Sequence, residues 1–99
     1  MSNIINLDEA RTANAPAVTV YSRSFPYCQK CMATKRWLNK RGITYTEVDL
    51  AKDPDALAWA KSRGHQAAPV VVVSTPTEDV EWSDFRVDLL EQHLGKAAA

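Results

Sequence analysis

The chain has 99 residues, of which 45% are hydrophobic and 24% charged. That supports one compact core, which excludes disorder throughout and removes any need for a stapling disulfide. Twelve basic side chains balance twelve acidic ones, which argues against a nucleic-acid or anionic-membrane partner.

Residues 1–16 read as a mobile extension closed by Pro16. AVTVYS (Ala17 to Ser22) alternates and is β-branched, as a strand should be. Ser24, Phe25 and Pro26 form a turn, and a helix is expected from about Cys28 to Arg41, stopped by Gly42 at C′. ITYTEVDL (Ile43 to Leu50) is a second strand. Asp53 and Pro54 supply an N-cap and an N1 proline for a helix reaching about Arg63, with Gly64 beyond it.

PVVVV (Pro69 to Val73) has the all-apolar look of a strand buried on both faces. STPTED is a turn, and VEW (Val80 to Trp82) its hairpin partner strand. Ser83 is expected to cap a last helix with Val87, Leu90 and Leu94 on one face and Gly95 at its end. Residues 96–99 are left as a disordered tail, so the domain spans 17–95. The order β-α-β-α-β-β-α, with parallel units first and a hairpin later, predicts an α/β fold. It comprises a four-stranded mixed sheet flanked by three helices.

No stretch is long and apolar enough to cross a bilayer, and MSNIINLDEARTANAPA lacks a basic segment followed by an apolar one. A cytoplasmic monomer is expected. In that compartment permanent disulfides are uncommon, so the pair Cys28 and Cys31 is more naturally catalytic or metal-binding than structural. The metal reading lacks ligands, because His65 and His93 lie far apart and there is no second C-x-x-C.

Redox chemistry suits the placement better, since a C-x-x-C at a strand–helix junction in a βαβ context signals the α/β thioredoxin fold. Cys28 falls where a helix begins, so free N–H groups and the positive end of the dipole stabilise its thiolate. No acid lies between Ala10 and Thr46, whereas Lys30, Lys35, Arg36 and other cations do. A lowered pKa would make Cys28 the nucleophile. Cys31, one turn on and on the same side, would resolve the mixed disulfide. Pro69 opens a buried strand, an awkward place unless the Ala68–Pro69 bond is cis and the loop lies beside the cysteines.

From Val18 to Leu94 the sequence resembles the glutaredoxin-like NrdH-redoxins, small electron donors to class Ib ribonucleotide reductase. The resemblance is carried by VTVYSR, CQKCMATKRWL, GITYTEVDL, APVVVV and WSDFR. In that family C-x-x-C is followed by Ala-Thr-Lys, here Ala33, Thr34 and Lys35. A Trp-Ser-Gly-Phe-Arg-Pro segment appears as Trp82, Ser83, Asp84, Phe85, Arg86 and Val87. Glutaredoxins proper usually carry a Gly-Gly-Asp-type turn there and Thr-Val-Pro before the buried strand; this chain has Ala67-Ala68-Pro69 and three glycines in all.

The resemblance implies a thiol-disulfide oxidoreductase, reduced by thioredoxin reductase with NADPH as ultimate source. It would donate electrons to the large subunit of class Ib ribonucleotide reductase. No bound cofactor is implied, since the Cys28–Cys31 disulfide carries the electrons. Tyr27, Ala68, Pro69, Trp82, Ser83, Phe85 and Arg86 are the substrate- or partner-binding candidates it implies.

Three of them also have a plainer reading: Trp82 and Phe85 as core, and Arg86 as a hydrogen bond tying its turn to backbone. Trp37 and Trp59 read as helix-surface packing, and both histidines as solvent-facing. Asp84 stands where the family has Gly and Val87 where it has Pro; a positive φ at that Gly would be tolerated by Asp at some cost. The alternatives are a glutathione-dependent glutaredoxin and a redox-sensing regulator of the same fold.

Overall fold

The computed structural model describes residues 16–95. β1 (Ala17–Ser22) is followed by α1 (Gln29–Lys40), β2 (Thr46–Asp49), α2 (Pro54–Ser62), β3 (Val70–Ser74), β4 (Asp79–Ser83) and α3 (Val87–Leu94). The strands form one sheet in the order β2-β1-β3-β4. β1 runs parallel to β2, with Thr19 opposite Thr46, and antiparallel to β3, with Thr19 opposite Val72. β4 returns antiparallel to β3. The expected thioredoxin-fold architecture is therefore present.

Local sequence explains the helix ends. Asp53 caps α2 by accepting from the Ala56 N–H at 3.0 Å, with Pro54 in the first turn. α1 ends with Gly42 at φ 68° and α2 with Gly64 at φ 86°, a conformation that glycine adopts without Cβ strain. Both glycines close the same motif: Gly42 and Ile43 donate to the Asn39 and Leu38 carbonyls, and Gly64 and His65 to those of Lys61 and Ala60.

The alternation of β1 aims Val18 and Val20 at the α1/α3 face, where Trp37, Leu38, Val71, Val73, Trp82, Leu90 and Leu94 complete the main core. A second cluster gathers Cys28, Cys31, Leu50, Ala60, Ala68 and Val70, with Tyr21, Ala56 and Trp59 packed against it. Since β3 antiparallels β1, the ends of β1, β2 and β4 and the start of β3 share one rim. The rim positions the site.

Several expectations change. Ile43 to Tyr45 lead into β2 and are not part of it. Ser83 does not cap α3: it ends β4, paired with Val70, and Arg86 takes the N-cap position without a side-chain cap bond. Trp37 is buried in the core and not merely on a helix surface, with the Arg41 guanidinium 3.9 Å above its ring. Neither histidine simply faces solvent. His65 Nε2 lies 2.8 Å from Glu81, and His93 stacks on Trp82 with ring centroids 5.7 Å apart. All of the expected extension 1–16 except Pro16, and the expected tail 96–99, lie outside the described residues.

Candidate active site

β1 delivers the chain to a loop, Arg23 to Tyr27, which ends at Cys28. Cys28 is the N-cap of α1, with extended backbone (φ −121°, ψ 99°), and Cys31 sits in the first turn. Helical geometry therefore brings the two onto one side, with their Cα atoms 5.2 Å apart and their sulfurs joined as a disulfide. The Cys31 N–H donates to Cys28 Sγ at 3.1 Å. On reduction that donor and the dipole behind it would favour a thiolate at Cys28. Both residues are buried, Cys28 at 4% exposure and Cys31 at 1%, so Cys28 is the more accessible of the two.

The Ala68–Pro69 bond is cis, as its sequence position predicts, and the Ala68 carbonyl oxygen lies 3.9 Å from Cys28 Sγ. The Pro69 carbonyl is taken: it accepts from the Asp84 N–H at 2.8 Å, joining the β4–α3 turn to the same loop. Asp84 has φ 82° and is the non-glycine residue with positive φ among the described residues. Its carboxylate accepts from the Phe85 N–H at 2.7 Å and from Lys30 Nζ at 2.9 Å. Lys30, then Phe85, hold that carboxyl below its ordinary range. This cross-site pair is absent from the sequence reading, and its sole sequence sign is the Asp at a glycine position.

Behind the disulfide is a cavity of about 240 Å³ whose walls include Ser22, Tyr27, Lys35 and Glu47. Glu47 accepts from Lys35 Nζ at 2.7 Å and from Ser22 Oγ at 2.6 Å, and these two bonds lower its pKa. On the α2 side a groove of about 460 Å³ reaches Ala68, between Phe25, Leu50, Leu57 and the cations Arg23 and Lys61. Phe25 is 80% exposed and Tyr27 71%, so two aromatic rings stand in solvent beside the cysteines. Sequence reasoning assigned Phe25 to a turn and missed it as surface; an apolar residue in an otherwise polar turn was the available signal.

The other candidates divide. Ala68 and Pro69 are both buried; Ala68 packs with the pair and presents its backbone, whereas the Pro69 carbonyl is already engaged by Asp84. Ser83 and Phe85 are half-buried on the β4–α3 side, Phe85 packing against the main core. Trp82 turns into that core, 7% exposed, its Nε1 without a hydrogen-bond partner. Arg86 does not tie its turn to backbone; its guanidinium is exposed and bonds the Asp88 carboxylate at 2.8 and 3.1 Å. Asp88, two residues on, is close enough to satisfy it without the backbone. Among the described residues no group of three or more His, Cys, Asp and Glu side chains could hold a metal ion, and no helix could cross a membrane.

Residues 18–75 match the glutaredoxin family model. The glutaredoxin-like protein NrdH of Salmonella typhimurium is 33% identical over 76 residues, covering 77% of this chain and 86% of that protein. NrdH of Lactococcus lactis is 32% identical over 69 residues, covering 70% and 88%. The solved NrdH-redoxin of Escherichia coli, described for a thioredoxin-like activity profile, aligns with a TM-score of 0.67 at 30% identity, over 77% of this chain and 92% of that one. Spinach chloroplast thioredoxin f, at 17% identity and a TM-score of 0.63 over 96% and 87%, shares the fold. The chain thus belongs to the glutaredoxin family, as an NrdH-like thiol-disulfide oxidoreductase whose redox pair is Cys28 and Cys31.

Proposed function

We propose that this protein takes electrons from thioredoxin reductase, with NADPH as ultimate source, and passes them to the large subunit of a class Ib ribonucleotide reductase. Likeness to NrdH proteins supports the pathway, and the thioredoxin-like activity profile described for the Escherichia coli relative supports the reductase. The observation that carries the reading is the surface around the disulfide. Exposed Phe25 and Tyr27 and the groove reaching Ala68 suit an extended protein segment better than a small charged tripeptide.

In the dithiol, Cys28 attacks one sulfur of the partner's disulfide, and the partner's other sulfur leaves and takes a proton. Cys31 then loses its proton and attacks Cys28 Sγ, breaking the mixed disulfide and releasing the partner's second thiol. Two electrons and two protons pass to the partner. The Cys31 N–H, 3.1 Å from Cys28 Sγ, supports the first sulfur as the nucleophile, and deeper burial supports Cys31 as the resolver. Tyr27 would border the incoming segment, Ala68 would line it with backbone while the buried Pro69 fixes that loop, and Ser83, Phe85 and Arg86 would meet it from the β4–α3 side. Trp82 would support that turn from within the core.

The test is NADPH oxidation with the oxidised protein, a catalytic amount of bacterial thioredoxin reductase and a model disulfide, beside a parallel assay with glutathione and glutathione reductase. Turnover is expected in the first assay and is lost in Cys28→Ser. Turnover confined to the glutathione assay would replace this reading with a glutathione-dependent glutaredoxin.

A further inference from the structure

The β4–α3 turn holds an oddity that the exchange chemistry does not require. A residue with a Cβ at φ 82° is costly, and such positions persist where surrounding structure fixes them for a reason. Asp84 makes three bonds there. Its N–H to the Pro69 carbonyl is available to any residue, and its bond to the Phe85 N–H is one an Asn could replace. The third, to Lys30 Nζ at 2.9 Å, is an ion pair, and its charge is what only an acidic side chain supplies. Lys30 lies between the two cysteines in sequence, in the first turn of α1.

At 60% and 42% side-chain exposure the pair contributes little to stability. Its consequence is where it leaves a positive charge. Without a partner, the ammonium on its flexible stem would be free to sample the Cys28 side of the helix terminus, adding to the field that favours a thiolate. We propose that Asp84 is a positioning residue of the redox centre, which holds the Lys30 ammonium away from Cys28 and so makes the dithiol a stronger electron donor.

The neighbouring charges reinforce this arrangement. From the β1–α1 loop, Arg23 Nε is bonded to the Pro26 carbonyl. From α1, Lys35 is engaged by Glu47 of β2. Asp49 of β2 accepts from the Ser24 and Ala51 N–H groups. From the far turn, Arg86 is engaged by Asp88. With Lys30 held by Asp84, each of these four cations has a partner other than the sulfur, while the helix terminus and the Cys31 N–H remain as support for the thiolate and Lys61 of α2 lines the groove beyond Ala68. A less stabilised thiolate means a less stabilised reduced state, hence a lower reduction potential.

The inference rests on the thiol-disulfide chemistry of the pair and on no protein partner, so its test uses none. The protein is equilibrated with reduced and oxidised dithiothreitol. The reaction consumes the protein disulfide and the reagent's dithiol, and yields the protein dithiol and the cyclic reagent disulfide, moving two electrons and two protons. Asp84→Asn keeps the Phe85 bond and tolerates the positive φ, and it removes the negative charge that holds Lys30.

At a fixed reagent ratio its dithiol-to-disulfide ratio is expected to rise about threefold, the scale of an exposed charge pair. That is about 14 mV at about 30 mV per tenfold. The Cys28 pKa, followed by thiolate absorbance, falls alongside. In a Lys30→Met background the same change is expected to lose most of its effect. Molar salt is expected to shrink the wild-type difference. An unchanged ratio in Asp84→Asn, or a shift undiminished in the Lys30→Met background, overturns the proposal. Asp84→Gly, which relieves the backbone, supplies the same test should the Asn variant fold poorly.

Discussion

On the α1/α3 face of the sheet, Val20, Leu38, Val71, Val73, Leu90 and Leu94 are all below 2% exposure, and Trp37 and Trp82 close the layer. The α2 face buries smaller groups, Ala60, Ala68 and the two cysteines with Leu50 and Val70, keeps Ala56 and the stacked rings of Tyr21 and Trp59 only partly buried, and opens to the groove beside the disulfide. The contrast separates two demands on a small domain. Large interlocking side chains hold the fold on one face, and small ones on the other let a foreign backbone approach sulfur. Mutations should therefore sort by face, stability on the first and reactivity on the second.

The largest effect is expected from Leu90→Ala, which cuts a fully buried side chain out of the main core. It should cost about 3 kcal/mol and roughly 15 °C in Tm, while the dithiothreitol equilibrium of the molecules still folded stays put. A calorimetric loss below about 1 kcal/mol would show that this face is not the stabilising one. Gly64→Ala should cost about 1–2 kcal/mol through the positive φ alone, since no atom lies within 4 Å of the added Cβ. Phe25→Ser should do the reverse: about a fivefold fall in kcat/KM toward a protein disulfide, on the scale of losing an exposed interface aromatic, with Tm unchanged. Equal losses toward a protein disulfide and a small one would remove Phe25 from any docking surface.

What the sequence announced was local, and what it concealed was not. Asp53 with Pro54, Gly42 and Gly64 act within a turn of themselves, so the α2 start and the α1 and α2 ends could be read directly. Cys28 and Cys31 lie within one helical turn, and Pro69 betrays itself by opening a buried strand. Ser83 looked like a cap because nothing nearby in sequence shows that Val70 pairs with it and draws it into β4. The environment of His65 is hidden because Glu81 reaches it from β4, distant in sequence, and the pair of Lys30 in α1 with Asp84 after β4 is hidden for the same reason. Gly42, Gly64 and Asp84 share a left-handed backbone, but only Asp84 has a side chain that bonds across the site.

The smallest expected effect lies at the edge where the two faces meet, at Glu47 with Lys35 and Ser22. Its folded pKa is lowered from an ordinary value near 4.5, first by Lys35 and then by Ser22. A carboxyl depressed by folding adds stability that is fully present above its unfolded pKa and disappears as pH falls through the folded one. Glu47→Gln should therefore melt about 2 °C below wild type at neutral pH, given its 41% exposed side chain. The gap should close as the solution is acidified below the ordinary carboxylate range. Glu81, held low chiefly by Arg63, titrates in the same direction and remains in both proteins, so subtraction isolates Glu47. A melting gap that stays constant into acid would mean that the substitution acts through packing at the cavity wall. In that case charge would matter on this edge only at the cysteines themselves.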